Sequence, residues 1–305
     1  MLLLQCVADT TPVIAQAGQK APYALLPPTK TPVVAPQSIP LDRTASPRIN
    51  AEVGHYRLRL AQGADDREAA CRLRFRVFNI ELGEGLESSY ETGIDTDHFD
   101  VFCEHLLVED KSNGRVVGTY RMQSGTTAAM NFGYYSAQEF EFGPYEPLRH
   151  DILELGRASI DREHRTAEVL TLLWRGIAQY ANQMGLRYLL GCSSLNSKEP
   201  ADGWRMYREL ERHRVSPEFE TVPRAAYVCP AEGMTANEQE VGREGGFPAS
   251  AKVPKLLKTY LAIGARICAP PAWDREFGTI DFLTVLDLKQ LSSAARNRFL
   301  APLTR

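Results

Sequence analysis

The segment ILELGRASIDREHR (Ile152–Arg165) decides how the rest of the chain is read. Ile152, Leu153, Leu155 and Ile160 give it the apolar content of a strand, yet Glu154 and Arg157 stand inside it, three residues apart. Successive strand side chains point to opposite faces, so these two fall on opposite faces of a regular strand. The chain then turns polar and basic over Asp161–Arg165. TAEVLTLLWRGIAQYANQMG (Thr166–Gly185) follows, with apolar residues at helical spacing and a closing glycine. A helix N-terminus presents unpaired N–H groups, so the basic turn before it is either an anion seat or a solvated surface turn.

Outward from this segment, LRYLLGCSSL (Leu186–Leu195) reads as an apolar strand and EPADGWRMYRELERH (Glu199–His213) as a helix. VPKLLKTYLAIGARICAP (Val253–Pro270) reads as a helix and a strand, and TIDFLTVLDL (Thr279–Leu288) as a last strand before a short basic helix. Upstream, EHLLVED and RVVGTYRM, split by KSNG, form a hairpin. HYRLRLAQ (His55–Gln62) alternates like a strand, and Asp65–Leu82 follows as a helix with a capping Asp. The acidic stretch after it reads as a long loop. This order fits an α/β fold, a mixed sheet flanked by helices, in one domain spanning 51–305. Residues 1–50 hold eight of the nineteen prolines and no sustained period, which predicts a disordered tail. A Gly-rich polar run near 231–250 predicts a flexible loop.

Composition narrows the classes. A formal charge of −3 gives no nucleic-acid signature, and no apolar run reaches the roughly 20 residues that span a bilayer. The opening MLLLQC lacks the charged start and long apolar run of a leader, so none is expected. Six cysteines have no CxxC and no metal-like spacing to the six histidines, which favours free thiols in a reducing cytoplasm and no metal site. His105, in an apolar strand, reads as a core residue. Charge is unevenly spread: Glu81–Asp110 holds ten acids and no Lys or Arg, whereas 252–305 holds nine Lys/Arg against four acids. Such poles are either solvated loops or attractors for a cationic and an anionic partner.

The motifs carry a resemblance. RFRVF (Arg74 and Phe78), DHFD (Asp97 and Asp100), GTYRM (Arg121) and ELGR (Glu154 and Arg157) occur in the order found in acyl-homoserine-lactone synthases. VFNIELGEG, CEHLLV, ELGRASIDREHR, YLLGCSSL, PKLLKTYLAIGA and AWDREFGTIDFLTVLDL extend it over about Tyr56–Phe299. There the chain resembles the hemolysin-like ornithine N-acyltransferases of the GNAT superfamily. The phosphate-binding Q/R-x-x-G-x-G/A of most GNAT proteins is absent; HRTAEV stands in its place, which argues against ordinary acetyl-CoA use.

The resemblance implies a GNAT-like fold with a bulge in the Ile152–Ile160 strand. It also implies transfer of a 3-hydroxyacyl chain from acyl carrier protein to the α-amine of L-ornithine, giving lyso-ornithine lipid. Other long-chain N-acyl amino acid synthases, a lactone-type synthase, and a non-catalytic protein that binds acyl chains or acyl carrier protein remain alternatives. An ammonium must lose a proton before it attacks, so Glu154, directly or through a water, is the expected base beside Arg157; a structural Glu–Arg pair is the bland reading. Backbone groups near Ala158, Ser159 and Ile160 would meet the oxyanion, and Arg162, His164 and Arg165 the pantetheine phosphate. Arg74, Phe78, Asp97, Asp100 and Arg121 either contact the acceptor or form scaffold, Asp97 and Asp100 being suited both to a cationic amino acid and to pairing with Arg74 or Arg121. No tightly bound cofactor is implied; acyl-carrier-protein thioester is the co-substrate. Apolar positions of 169–181 and 253–263, with Trp174, could line an acyl pocket. Lys252, Lys255 and Lys258 suit docking of the acidic carrier protein or a peripheral contact with an anionic membrane.

Overall fold

The computed structural model describes residues 47–230 and 253–299. The expected tail up to residue 46, the expected flexible loop near 231–250 and Lys252 lie outside the described residues. Nine strands form one sheet: β1 (Asn50–Val53), β2 (Tyr56–Leu60), β3 (Glu104–Asp110), β4 (Arg115–Ser124), β5 (Ile152–Ile160), β6 (Tyr188–Leu195), β7 (Arg266–Ile267), β8 (Ala272–Asp274) and β9 (Thr279–Asp287). The order is β1-β2-β3-β4-β5-β6-β9-β7, with β8 also on β9. All neighbours run antiparallel except β5 and β6. A parallel neighbour needs a crossover, which here is the long helix.

The helices are α1 (Ala64–Phe75), α2 (Ser89–Thr92), α3 (Gly125–Met130), α4 (Ala167–Gln183), α5 (Pro200–Glu209), α6 (Lys255–Ile263) and α7 (Ser293–Phe299). α4 starts where Thr166 Oγ1 accepts the Val169 amide, and it lays Val169, Leu172, Leu173 and Ile177 on Leu58, Leu106 and Leu153 of the sheet. Gly176 permits this approach: a Cβ there would stand 2.7 Å from a Leu106 methyl. On the opposite face, Ala70 and Leu73 of α1, with Val77 just beyond its end, pack against Leu107. Burying such apolar side chains contributes roughly 1.5–3 kcal/mol each. Among the described residues no helix is long and apolar enough to cross a membrane.

Several expectations are corrected. α1 starts after Gly63, not at an Asp cap; Asp65 and Asp66 sit in its first turn, and Asp66 instead takes the Gln62 amide and pairs with Arg59. The helix does not run regularly to Leu82, because Arg76–Leu82 is wound as a wider π-helix. Strand β1 precedes the first expected strand, and Ile49 already packs in the core. The acidic loop contains α2 and a 3-10 turn, His98–Val101, closed by a capping box between Asp97 and Asp100. The five described cysteines are free thiols, in line with the expectation.

Candidate active site

β5 is irregular where its polar residues stand. Gly156 faces Arg121 and Ser159 faces Thr119, so Arg157 and Ala158 together oppose Tyr120 alone: a bulge. Arg157 has φ +52°, in the left-handed region where a non-glycine residue is uncommon. The strand also parts from its parallel neighbour. β5 pairs with β6 only from Ile152↔Tyr188 to Glu154↔Leu190, while β6 stays on β9 as far as Leu195. The gap beyond Glu154 opens a cavity of about 290 Å³. Glu154 and Arg157, on opposite faces of a regular strand, both line it.

The Glu154 carboxylate is buried and held by three donors: the Tyr135 and Ser136 amides at 2.9 and 2.8 Å and Gln123 Nε2 at 3.0 Å. Burial raises its pKa above the usual carboxylate value, and these donors oppose the rise. Arg157 stacks between Phe78 and Phe277, its guanidinium carbon 4.3 and 5.0 Å from the two ring centroids, and pairs with Asp95. Its Nε has no partner. The π-helix brings Phe78 to this stack. Where it ends, the Phe78 carbonyl accepts the amides of Gly83 and Glu84, so Glu84 reaches the same cavity.

Most of the acidic motif residues are used in pairing. Arg74 holds Asp100 with two bonds of 2.6 and 2.9 Å and Asp95 with Nε at 2.9 Å. Arg121 Nη1 holds Asp97 at 2.7 Å and Asp100 at 3.0 Å. Burial would raise Asp95, but Arg157 and Arg74 keep it below the usual range, and Arg74 and Arg121 do the same for Asp100. Asp97 and Asp100 are therefore engaged by arginines and by their own capping box, the pairing reading of these residues. His105 sits under this lattice with Nε2 3.2 Å from the Asp100 carbonyl, and burial lowers its pKa to about 4.

The expected donor turn divides. Ala158 lines the cavity, whereas Ser159 and Ile160 return to pairing with Thr119 and Gly118. Arg165 pairs with Glu81 and the Ile160 carbonyl, and His164 Nδ1 lies 3.0 Å from the Tyr56 hydroxyl. Arg162 is exposed.

Four cavity carboxylates, Glu84, Glu139, Asp274 and Asp281, escaped the reading of the sequence. Glu139 and Asp281 are buried side chains that meet across Cys192, with their oxygens and the sulfur all within 4.8 Å. Burial and the neighbouring acid raise Glu139 well above the carboxylate range; burial, then Asp274, raise Asp281 to about 6. Glu84 is pushed up to about 7 by burial and Asp281. An acid between Ile280 and Phe282 in an apolar strand, and one between Gln138 and Phe140 in an aromatic stretch, were the available signals. The Cys192 thiol donates to Glu139 and burial holds its pKa well up, so it is a poor nucleophile.

A bulged strand splaying from its parallel partner over a cavity, followed by a turn and a long helix, defines the GNAT class of acyltransferases. The sequence matches the family described as Acetyltransferase (GNAT) domain over residues 73–175. The chain belongs to the L-ornithine N(alpha)-acyltransferase family. It is 30% identical to the member from Brucella abortus (strain 2308) over 268 residues, 82% of this chain and 93% of that one. It is 31% identical to the member from Rhizobium meliloti (strain 1021) over 262 residues, 81% and 85% of the two chains. The crystal structure of the AHL synthase LasI superposes with a TM-score of 0.47 at 12% identity, covering 83% of this chain and 98% of that one.

Proposed function

We propose that this acyltransferase moves a 3-hydroxyacyl chain from the phosphopantetheine thioester of acyl carrier protein to the α-amine of L-ornithine, giving lyso-ornithine lipid. The observation that carries this reading is the cavity at the β5–β6 splay, where Glu154, Arg157 and several further acids face one space. The ammonium gives a proton to a cavity carboxylate, and its nitrogen attacks the thioester carbon. The C–S bond breaks as the tetrahedral intermediate collapses, and the thiol leaves with a proton. A direct transfer suits a site whose buried thiol stays protonated.

Glu154 is the proposed proton acceptor, acting directly or through a water. Its burial raises the pKa in the direction a base requires. Glu84, in the same cavity and near 7, is the competing carboxylate. Main-chain groups on the unpaired edge of β5 at Arg157 and Ala158 are proposed to meet the oxyanion. Arg162 and the start of α4 are proposed to receive the pantetheine phosphate. A second cavity, lined by Tyr120, Leu155, Trp174 and Tyr260 that border or share the first, is proposed to take the start of the acyl chain. Lys255 and Lys258 on α6, beside the cavity residues Leu256 and Leu257, are proposed to meet the acidic carrier protein or an anionic membrane surface.

The test is to incubate purified protein with 3-hydroxyacyl-carrier protein and each amino acid in turn, and to identify N-acyl products by mass spectrometry. Ornithine product is expected. Glu154→Gln is expected to lower turnover by about 10²-fold or more while carrier-protein binding persists. Normal turnover in that variant would remove Glu154 as the base, and its loss in Glu84→Gln alone would transfer the role. Product with another amino acid only would redirect the acceptor, and product with none would favour a binding protein.

A further inference from the structure

The cavity has two chemically different sides, and the second is unexplained by acyl transfer itself. On one side stand guanidinium groups with unspent donors: Arg121, its side chain 4% exposed, leaves Nη2 without a partner, and Arg157 leaves Nε without one. On the other side Glu139 and Asp281 are 3% and 5% exposed, and among the described residues no Lys or Arg pairs with either. Two buried carboxylates within a few ångströms cannot both stay ionised without a cation, and here one proton does that work. Unspent cationic donors and unspent acids lining one cavity are the complement of a molecule carrying a carboxylate and, some bonds away, an ammonium.

We propose that Glu139 and Asp281 are the seat for the side-chain ammonium of a diamino-acid acceptor, with Arg121 and Arg157 turned to its α-carboxylate. This rests on the proposed acceptor class and goes further by naming the residues that select it. Bound this way, the acceptor presents its α-amine between the two sides, toward Glu154 and the open edge of β5. The entering ammonium takes the place of the shared proton, so binding releases a proton and strengthens as pH rises toward ionisation of the pair, which burial, with Asp274 and Glu84 beside it, holds above the ordinary carboxylate range. Neutral amino acids, lacking the terminal ammonium, leave the acid pair protonated and gain nothing from it. Cys192, whose thiol donates to Glu139, keeps that carboxylate oriented.

The experiment compares Asp281→Asn and Glu139→Gln with the parent chain, using L-ornithine and L-norvaline, which has the same carbon chain without the terminal amine. The expected result is a rise in KM for ornithine of roughly 30-fold or more, the cost of removing one side of a buried charge pair. KM for norvaline and for the acyl donor should not change. Direct calorimetric titration of ornithine and of 1,4-diaminobutane into the intact protein is independent of turnover. If no amino acid is acylated but ornithine binds and Asp281→Asn abolishes binding, the seat stands and the transfer reading falls. Thermal melts check folding, and the variants should melt no lower than the parent, because each removes a carboxylate held out of water. Equal losses with ornithine and norvaline, or none with either, overturn the proposal. So does stoichiometric Zn²⁺ or Mn²⁺ binding that Asp281→Asn abolishes while ornithine binding persists, since the cluster would then be a metal site.

Discussion

Asp95 and Asp100 in the motif lattice, and Glu84, Glu139 and Asp281 in the cavity, are all carboxylates drawn largely out of water, and they differ in what answers their charge. Every lattice acid has a guanidinium: Asp95 has two, Arg74 and Arg157, and Asp100 has Arg74 and Arg121. No salt bridge reaches the cavity acids among the described residues. The first set is held ionised and the second is pushed toward neutrality. Burial alone does not set the charge state of these acids; the presence or lack of an answering guanidinium does.

The sharpest way to break this contrast is to remove a lattice cation. Arg74→Ala leaves Asp95 and Asp100 short of a partner in a buried site, and unfolding free energy is expected to fall by about 3–5 kcal/mol in urea melts. A change under 1 kcal/mol would mean that Arg121 and Arg157 suffice.

The pH dependence of stability separates the two sets with opposite signs. Asp95 and Asp100 have depressed folded values, so their contribution is present above the unfolded value of about 3.9 and is lost as pH falls further. Glu84 and Asp281 have raised values, near 7 and 6. Between about pH 4 and 7 the folded protein therefore holds protons the unfolded chain has released, and stability falls as pH rises through that window. Melting temperature is expected to drop by about 5 °C from pH 5 to pH 7.5. Glu84→Gln should flatten that slope and leave the acid limb unchanged; an unchanged slope would show Glu84 solvated.

The smallest effect belongs to an ordinary surface pair. Arg72 and Glu68 are half-exposed and one helical turn apart on α1, so Arg72→Ala should move stability by no more than about 0.5 kcal/mol. A larger loss would show that α1 contributes to the lattice through more than Arg74.

Much of this is legible in the sequence. The strand carrying Glu154 and Arg157, the basic turn and α4 follow from local pattern, because helical and strand periodicities are written within one turn or one pleat. The partners of Arg74 and Arg121 were readable only as a choice, since Asp97 and Asp100 suit an ammonium as well as a guanidinium. Asp95, which ties Arg74 to Arg157, was not singled out. Glu84, Glu139 and Asp281 were invisible as a group because they are 55 to 197 residues apart and meet only through the π-helix, the aromatic turns and β9. The misassigned cap has a similar cause. Asp65 and Asp66 follow a glycine at the start of a helix, and only the fold reveals that Arg59 on β2 claims Asp66.

The three-residue pairing of β5 with β6 has a mechanical consequence. β1 through β5 form one antiparallel meander, and β6, β7 and β8 all pair antiparallel with β9 in a second group; this short parallel contact is the strand pairing between them. Pulling the two groups apart loads those few main-chain bonds, the docking of α4, and the loop contacts that join Glu139 to Arg224, Glu141 to Val222 and Tyr145 to Phe219. A molecule lodged in the open gap adds its own contacts to these. Substrate occupancy should therefore register as a higher rupture force along this line, a readout of binding that requires no chemistry at all.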